Sequence, residues 1–148
     1  VGGHCIAVDP WFIVSAFPDE SPLIKKSREA NTYKTEWVLE KIKNKVLVFK
    51  LEKDRDPIIA CMGLAFKPNI DDLRESPALY VTEILQKEEF NVLAVEPNLN
   101  STSARLLVET SEAINQADII VFLVSHSGFK TLIIEDSKEV LDFCGVLK

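Results

Sequence analysis

The sequence predicts an α/β protein in which a doubly wound, mostly parallel sheet is preceded by a long helix. Two observations lead to this fold class. From residue 58 onward, short apolar runs alternate with segments of helical periodicity, and the first run, 58–66, shows no polar–apolar alternation, as in a parallel strand covered on both faces. Before it, residues 22–49 place apolar side chains at mixed three- and four-residue steps, which indicates a long amphipathic helix.

A glycine pair and a cysteine open the chain, ahead of a short helix expected over residues 11–16. The N–H groups near a helix start can stabilise a thiolate, the nucleophilic form of cysteine, so Cys5 is a candidate nucleophile. If the intervening turn is helical, Asp9 shares a face with Cys5 and can hold or deprotonate a water molecule. The alternative is a packed, inert thiol beside an aspartate that caps the helix before Pro10. His4 has no second ligand nearby and is not a metal candidate.

The long helix is expected to begin after Ser21, a capping residue followed by a proline, and to run to about residue 49. Its apolar stripe includes Tyr33 and Trp37. A helix of this length can pack against another domain or subunit, or on the core of its own chain, and the stripe alone leaves both open. Residues 51–57 are dense in charge and end in a proline, so we interpret them as a linker.

The loop after the first strand carries the cations best placed for a ligand. Ligands of open α/β sheets bind beyond the carboxyl ends of the strands, and Lys67 and Arg74 lie in the loop that leaves this end. Two cations there suit a phosphorylated ligand. The alternative is that both are solvated charges neutralised within the loop. The acidic neighbours that would neutralise them are Asp71, Asp72 and Glu75.

The remaining elements complete the alternation. Ser76 and Pro77 start a capped helix that ends near residue 88. Glu96 ends the next strand, at the position where a classical dinucleotide-binding fold has an acid that binds the ribose. The first turn, however, lacks a GxGxxG motif. We therefore do not expect this half of the chain to hold NAD in the usual manner. The other expected elements are strands 91–95, 118–124 and 140–146, a helix at 111–116, a helical segment ending near 132, and an ambiguous segment 101–109 that can hold a short strand at 106–108.

Composition excludes several classes of function. With 148 residues, 47% of them hydrophobic, the chain can bury a core. A formal charge of −6 without a long Lys/Arg cluster argues against nucleic acid or an anionic membrane as partner. No apolar run is long enough to span a membrane, and the cytoplasm is the expected location. Three cysteines without a pairing pattern indicate neither a disulfide framework nor a zinc site, and Cys61 and Cys144 are expected to be small buried hydrophobes in strands.

Two motifs far apart in the chain resemble those of one enzyme family. Residues 2–11, GGHCIAVDPW, look like a catalytic cysteine segment with an aspartate four residues after the cysteine. Residues 63–76, GLAFKPNIDDLRES, look like the opening of a carboxyl-terminal UDP-binding domain. Over nearly its whole length, the sequence resembles the UDP-glucose/GDP-mannose dehydrogenases. The resemblance implies an active-site segment and central dimerisation helix in residues 1–52, followed by a Rossmann-like UDP-binding domain in residues 53–148.

For function, the resemblance implies oxidation of the C6 alcohol of a UDP-sugar, such as UDP-N-acetylmannosamine, to a carboxylate, with two NAD and no metal. Cys5 would add to the intermediate aldehyde as a thiohemiacetal and later form a thioester that water cleaves. Such covalent capture retains a reactive aldehyde and divides one difficult step in two. Asp9 would orient or activate the water.

The resemblance also implies contacts with the ligands. Gly2 would lie against the sugar nucleotide, and Phe66 and Lys67 would contact the substrate. Arg74 would reach NAD bound on another domain. The long helix would join two copies of the protein into a homodimer.

The chain departs from the family pattern in two places. The amino-terminal dinucleotide domain and a lysine of the linker helix lie outside these 148 residues, so we expect a fragment that does not turn over alone. Residues 142–145 read DFCG where the family has a basic residue before the glycine, and no substrate contact is assigned to Cys144.

Three functions stay open on the sequence. An enzyme fragment predicts an unusually reactive Cys5. A non-catalytic nucleotide-sugar-binding or dimerisation module predicts UDP binding with an inert Cys5. A Rossmann-like interaction domain without a ligand predicts that Lys67 and Arg74 are fully solvated. The two motifs favour the first function for the whole protein.

Overall fold

A four-stranded parallel sheet forms the centre of the computed structural model, which describes residues 2–99 and 107–147. The strand order is β2-β1-β3-β4, and every neighbouring pair is parallel, so the predicted fold class is confirmed. The strands are β1 (Ile58–Met62), β2 (Asn91–Val95), β3 (Ile119–Phe122) and β4 (Glu139–Asp142), and the helices are α1 (Asp9–Ala16), α2 (Pro22–Lys53), α3 (Pro77–Lys87), α4 (Thr110–Gln116) and a 3-10 helix (Ser127–Thr131).

Helices cover both faces of the sheet, which explains the uniform apolar character of its first strand. Ile59 and Cys61 of β1 belong to the core cluster under α2 and α3, whereas Ala60 and Met62 belong to the cluster under α4. All four side chains are fully buried. A strand buried on both sides has no solvent face to mark with polar residues, so its sequence does not alternate.

A crevice is expected where neighbouring strands send their connections to opposite faces. From β1 the chain passes through α3 to β2, then returns through α4 to β3 on the other side of β1. The loops that leave the carboxyl ends of β1 and β3, residues 63–76 and 123–126, therefore lie at such a switch point. The cation-bearing loop predicted from the sequence is the first of these two.

The long helix packs on the core of its own chain along its carboxyl-terminal half. The buried residues of α2 all fall in this half, while Tyr33 in the preceding half is exposed. Trp37 packs its ring edge-to-face on Phe143, beyond β4. The buried positions are Val38, Leu39, Ile42, Val46 and Phe49.

Helix α2 is longer than predicted, so the linker expected at 51–57 is wrong for its first three residues. Leucine, glutamate and lysine at 51–53 are good helix formers, and nothing in them stops the helix. The stop comes at Asp54, which adopts a left-handed conformation (φ 53°) and donates its N–H to the Lys50 carbonyl.

Three strands end earlier than the apolar runs that predicted them, and β3 stops at Phe122 instead of residue 124. β1 stops at Met62 because Gly63 turns the chain with φ 89°. β4 stops at Asp142, whose carboxylate accepts hydrogen bonds from the backbone N–H groups of Cys144, Gly145 and Leu147. That carboxylate caps a turn, so the predicted continuation of the strand to 146 is wrong.

The structure describes the second part of the ambiguous segment at 101–109. Its residues 101–106 lie outside the described part of the chain. Leu107 and Val108 do not form a strand, although the Val108 N–H donates to the Ala94 carbonyl of β2 at 2.9 Å. In the described ranges, no helix has the length and apolar character needed to cross a bilayer.

Candidate active site

The amino-terminal glycine pair lies directly against the loop that follows β1. A side chain at Gly2 would collide with the Glu75 carbonyl and would stand 2.7 Å from Pro77 Cδ. At Gly3, which has φ 90°, a Cβ would lie 3.0 Å from the Phe66 ring. Only glycine allows this backbone approach. The two sequence motifs, separated by about 50 residues along the chain, therefore meet in the fold.

Cys5 follows in a tight turn on the same side. The Asp9 N–H donates to the Cys5 carbonyl at 2.8 Å, so the turn has helical spacing and Asp9 stands one turn after Cys5 at the start of α1. Both residues are exposed. Cys5 also lies close enough to Arg74 to interact with its charge: the pKa of Arg74 is raised mainly by a hydrogen bond to Asp72, and Cys5 acts in the same direction.

Of the two loop cations, Arg74 is paired within its own loop, residues 63–76, and Lys67 is not. Arg74 Nη2 lies 2.6 Å from Asp72 Oδ2, and Nε lies 3.0 Å from both carboxylate oxygens. The hydrogen bond to Arg74 lowers the pKa of Asp72 to about 2. Lys67 is exposed and forms no ion pair with any described residue. Neutralisation within the loop thus applies to Arg74, and Lys67 keeps its charge available for an anion.

A buried polar network, which the sequence did not reveal, lies beneath this loop. Glu96, at the end of β2, is 4% exposed, and His126, after β3, is 1% exposed. Glu96 Oε2 accepts hydrogen bonds from the N–H groups of Leu64 (2.7 Å) and Ala65 (2.9 Å) and lies 3.0 Å from His126 Nε2. Glu96 is therefore committed to holding the loop after β1 and does not face a ribose. In the sequence, this network is marked only by a titratable residue after each of two strands, Glu96 after β2 and His126 after β3.

Hydrogen bonds keep Glu96 ionised in spite of its burial. Burial alone would raise its pKa, but the hydrogen bonds from His126 and from three backbone N–H groups outweigh burial and lower the pKa. The third of these N–H groups belongs to Asn98, 3.1 Å from Oε1. The site thus contains one fully enclosed carboxylate that acts only as a hydrogen-bond acceptor.

A small cavity opens beside the strand ends, under α2. Its volume is about 240 Å³. Gly2 and Phe66 line it on the motif side, Val124 and Phe143 on the side of β3 and β4, and Lys34 of α2 completes the wall. Lys34 Nζ stands 3.4 Å from the centroid of the Trp37 ring. The cavity therefore combines an apolar wall with a cation, at the switch point where α/β sheets bind ligands.

Comparison with known proteins finds matches in one family. The model of the UDP-glucose/GDP-mannose dehydrogenase family, UDP binding domain, matches residues 60–148. The chain belongs to this family. The UDP-N-acetyl-D-mannosamine dehydrogenase of Escherichia coli K12 is 46% identical over 141 residues, which cover 89% of this chain and 34% of that protein. The NDP-N-acetyl-D-galactosaminuronic acid dehydrogenase of Ralstonia nicotianae is 44% identical, covering 99% and 35%.

Solved structures of the UDP-glucose/GDP-mannose dehydrogenase family share the fold. The UDP-D-ManNAc dehydrogenase of Pyrococcus horikoshii superposes with a TM-score of 0.76 at 30% identity, covering all of this chain and 36% of that one. The GDP-mannose dehydrogenase of Pseudomonas aeruginosa gives 0.78 at 21% identity, covering 99% and 36%, which supports the fold alone. This family member spans about a third of the length of these relatives.

The cysteines of this family member differ sharply in environment. Cys61 is fully buried, as predicted, and burial raises the pKa of its thiol to about 12. Cys144 is half-buried in the turn after β4 instead of in a strand; burial, and then the charge of Asp142, raises its pKa to about 12. Neither thiol supplies a thiolate nucleophile near neutral pH. Cys5 is the exposed cysteine, and the described residues contain no cluster able to hold a metal ion.

Proposed function

We propose that this chain is the carboxyl-terminal portion of an NAD-dependent UDP-sugar 6-dehydrogenase that oxidises UDP-N-acetylmannosamine, or a related UDP-hexose, to the uronate. One observation carries the proposal: the glycine pair before Cys5 packs on Phe66 and Glu75, at the loop whose Lys67 has no ion-pair partner among residues 2–99 and 107–147. A nucleophile and an anion-binding loop therefore share one side of the molecule. The names of the relatives, which match over most of this chain, support the choice of substrate.

Cys5 is proposed as the nucleophile. Its thiolate would add to the C6 aldehyde, forming a C–S bond while the carbonyl oxygen takes up a proton, and oxidation at C6 would leave a thioester. Water oriented by Asp9 would then cleave the C–S bond, releasing the carboxylate and the thiol. NAD, when bound, would accept the two electrons released in each of the two oxidations, from alcohol to aldehyde and from thiohemiacetal to thioester. The helical spacing of Cys5 and Asp9 is consistent with this division of roles.

The substrate would be held by three residues of the two motifs. Gly2 lets the backbone approach closely, Phe66 provides an apolar face, and the Lys67 ammonium would pair with the diphosphate. Arg74 is proposed to contact NAD held by another part of the protein, because it is exposed and only one edge of its guanidinium is used by Asp72.

The helical hairpin of α1 and α2 is proposed to form a homodimer. Apolar side chains lie exposed along it, including Phe12 and Phe17 of the first helix and its exit turn, and Leu23 and Tyr33 of the second helix. Unpartnered apolar surface of this kind is typical of subunit interfaces. We propose a cytoplasmic location for the whole enzyme, since its expected substrate and cofactor are soluble nucleotides.

A second function, a non-catalytic nucleotide-sugar-binding module, is favoured by one observation. The loop after β1 has no glycine-rich motif for a dinucleotide. By itself, this chain would therefore bind UDP, and it would contact NAD at most through Arg74.

Alkylation of Cys5 separates the two functions. The chain is treated with iodoacetamide across a range of pH, with and without UDP, and each cysteine is followed by mass spectrometry. The catalytic function predicts that Cys5 reacts much faster than Cys61 or Cys144 and that UDP shields it. If UDP binds but Cys5 is as slow as the internal controls, with or without the missing portion of the enzyme, the binding module is correct.

A further inference from the structure

His126 connects the floor of the site to the loop above it. On one side its Nε2 lies 3.0 Å from Glu96 Oε2. On the other side the backbone N–H of Asn69 donates to Nδ1 at 3.0 Å, and Asn98 Nδ2 lies 2.9 Å from the same atom. The Phe129 ring meets the imidazole edge-to-face, 5.2 Å between centroids. Glu96 is the charged group among these neighbours.

These contacts admit one protonation state of the ring. A backbone N–H can only donate, so Nδ1, which accepts from Asn69, carries no proton. Glu96 accepts from the N–H groups of Leu64 and Ala65 through the oxygen that also faces Nε2, so Nε2 must donate to it. The imidazole is therefore neutral, with its proton on Nε2. A proton on Nδ1 would place two donors face to face.

The same contacts fix the backbone beside Lys67. Asn69 stands two residues further on, in the left-handed conformation with φ 60°. Its side-chain Oδ1 accepts from the Ser127 N–H at 2.8 Å and from Ser127 Oγ at 3.0 Å. The loop is thus tied to the segment after β3 through the main chain and the side chain of one residue, and the main-chain tie ends on His126.

We propose that His126 is a positioning residue: as the neutral Nε2–H tautomer, it links Glu96 to the Asn69 backbone and so sets where Lys67 stands for the diphosphate of a UDP-sugar. The inference rests on the proposed role of Lys67. A buried imidazole needs a partner for each ring nitrogen, and here the two partners, the Asn69 N–H and the Glu96 carboxylate, lie on loops that follow different strands, so the ring joins these loops.

Two isosteric variants separate the two halves of the link. In His126→Asn, the amide oxygen occupies the place of Nδ1 and can still accept from Asn69, but the donor to Glu96 is lost. In His126→Gln, the amide nitrogen can take the place of Nε2 and still donate to Glu96, but the acceptor for Asn69 is lost. Both variants remove the titratable ring, so a difference between them reports the link to the loop.

The measurements are the hydrogen-exchange rate of the Asn69 amide by NMR and the affinity for UDP by calorimetry, in the 148-residue chain. We expect His126→Gln to expose the Asn69 amide to exchange and to weaken UDP binding about tenfold, the equivalent of one well-placed hydrogen bond. His126→Asn removes only the bond to Glu96, so it should keep the amide protected and lose less affinity than His126→Gln. Equal affinities for UDP in the two folded variants would overturn the proposal.

A measurement on the unsubstituted chain keeps the proposal testable if either variant fails to fold. Long-range proton–nitrogen correlation spectra identify the protonated ring nitrogen of His126 directly. A proton on Nε2 supports the link, and a proton on Nδ1 contradicts it. If the unsubstituted chain does not bind UDP, the proposed function itself fails, while the ring spectrum and the Asn69 exchange rate still decide whether His126 holds the loop.

Discussion

Trp37 and Phe143 meet edge-to-face, with 5.8 Å between their ring centroids and 79° between their planes. The contact joins the middle of α2 to the turn after β4, and Phe143 also lines the cavity at the strand ends. The long helix is thereby attached to the sheet that carries the site. The core cluster under α2 and α3 contains residues from both sides of residue 52, such as Ile42 of α2 and Ile59 of β1. If the chain were divided there into two independent units, this cluster would be exposed.

Replacing Trp37 with alanine should lower the free energy of unfolding by about 2–3 kcal/mol, because the ring loses its packing on Phe143 and the core. Urea denaturation measures the change. Tyr33→Ala, one turn earlier and 66% exposed, is the matched control and should change the monomer by less than about 0.5 kcal/mol. Both variants are measured at two protein concentrations. The change in unfolding free energy caused by Trp37→Ala should not depend on concentration. If the chain dimerises through α2, the change caused by Tyr33→Ala should depend on it. Equal effects at every concentration would contradict the packing described here.

Gly63 is expected to be the least replaceable glycine at the strand ends. A Cβ there would lie 2.6 Å from Val124 Cβ, and the φ of 89° is strained for any other residue. Gly63→Ala should therefore destabilise the chain by about 2–4 kcal/mol, combining backbone strain and overpacking. Gly128→Ala, where the new methyl group would meet no other segment of the described chain, serves as control. Similar denaturation midpoints for the two variants would show that the turn after β1 can relax.

The sequence predicts the fold best where a local rule acts alone. The predicted and observed bounds of β2 are the same, and the predicted start of α3 at Ser76 and Pro77 is confirmed by the bond from the Leu79 N–H to Ser76 Oγ. The end of β1 was missed because an apolar pattern does not show that Gly63 turns left-handed.

The site was less accessible to sequence reasoning, because it is made by distant segments. The spacing of residues does not show that Gly3 touches Phe66; the family resemblance grouped the two motifs, and the fold shows the contact. The link from Glu96 through His126 to Asn69 joins loops after three different strands, so no local pattern signals it. Its members are polar residues that a periodicity analysis assigns to turns.

Removing the charge of Lys67 should weaken UDP binding. Lys67 is exposed and unpaired among the described residues, so Lys67→Ala removes an available cation without breaking an internal contact. We expect a loss of about tenfold in affinity, measured by calorimetry, and a smaller dependence of binding on salt. Lys87→Ala, at the far end of α3, is the charge-matched control. An undiminished affinity in Lys67→Ala, or an equal loss in the control, would remove Lys67 from the site.

Asp142 is expected to make the stability of the chain depend on acid pH. Burial would raise the pKa of this carboxyl, but the backbone N–H groups of the turn after β4 outweigh burial and lower it. A lowered folded-state pKa stabilises the fold above the unfolded pKa of about 3.9, and this stability is lost as the pH falls through the folded-state pKa. Asp142→Asn should therefore lower the free energy of unfolding at pH 7, by about 1–3 kcal/mol for the lost charged acceptor, and should flatten its decline below about pH 4. Urea titrations across this pH range provide the measurement, with the exposed Asp136→Asn as control. If Asp142→Asn loses stability in acid as steeply as the unsubstituted chain, the turn is held by packing and not by the carboxylate.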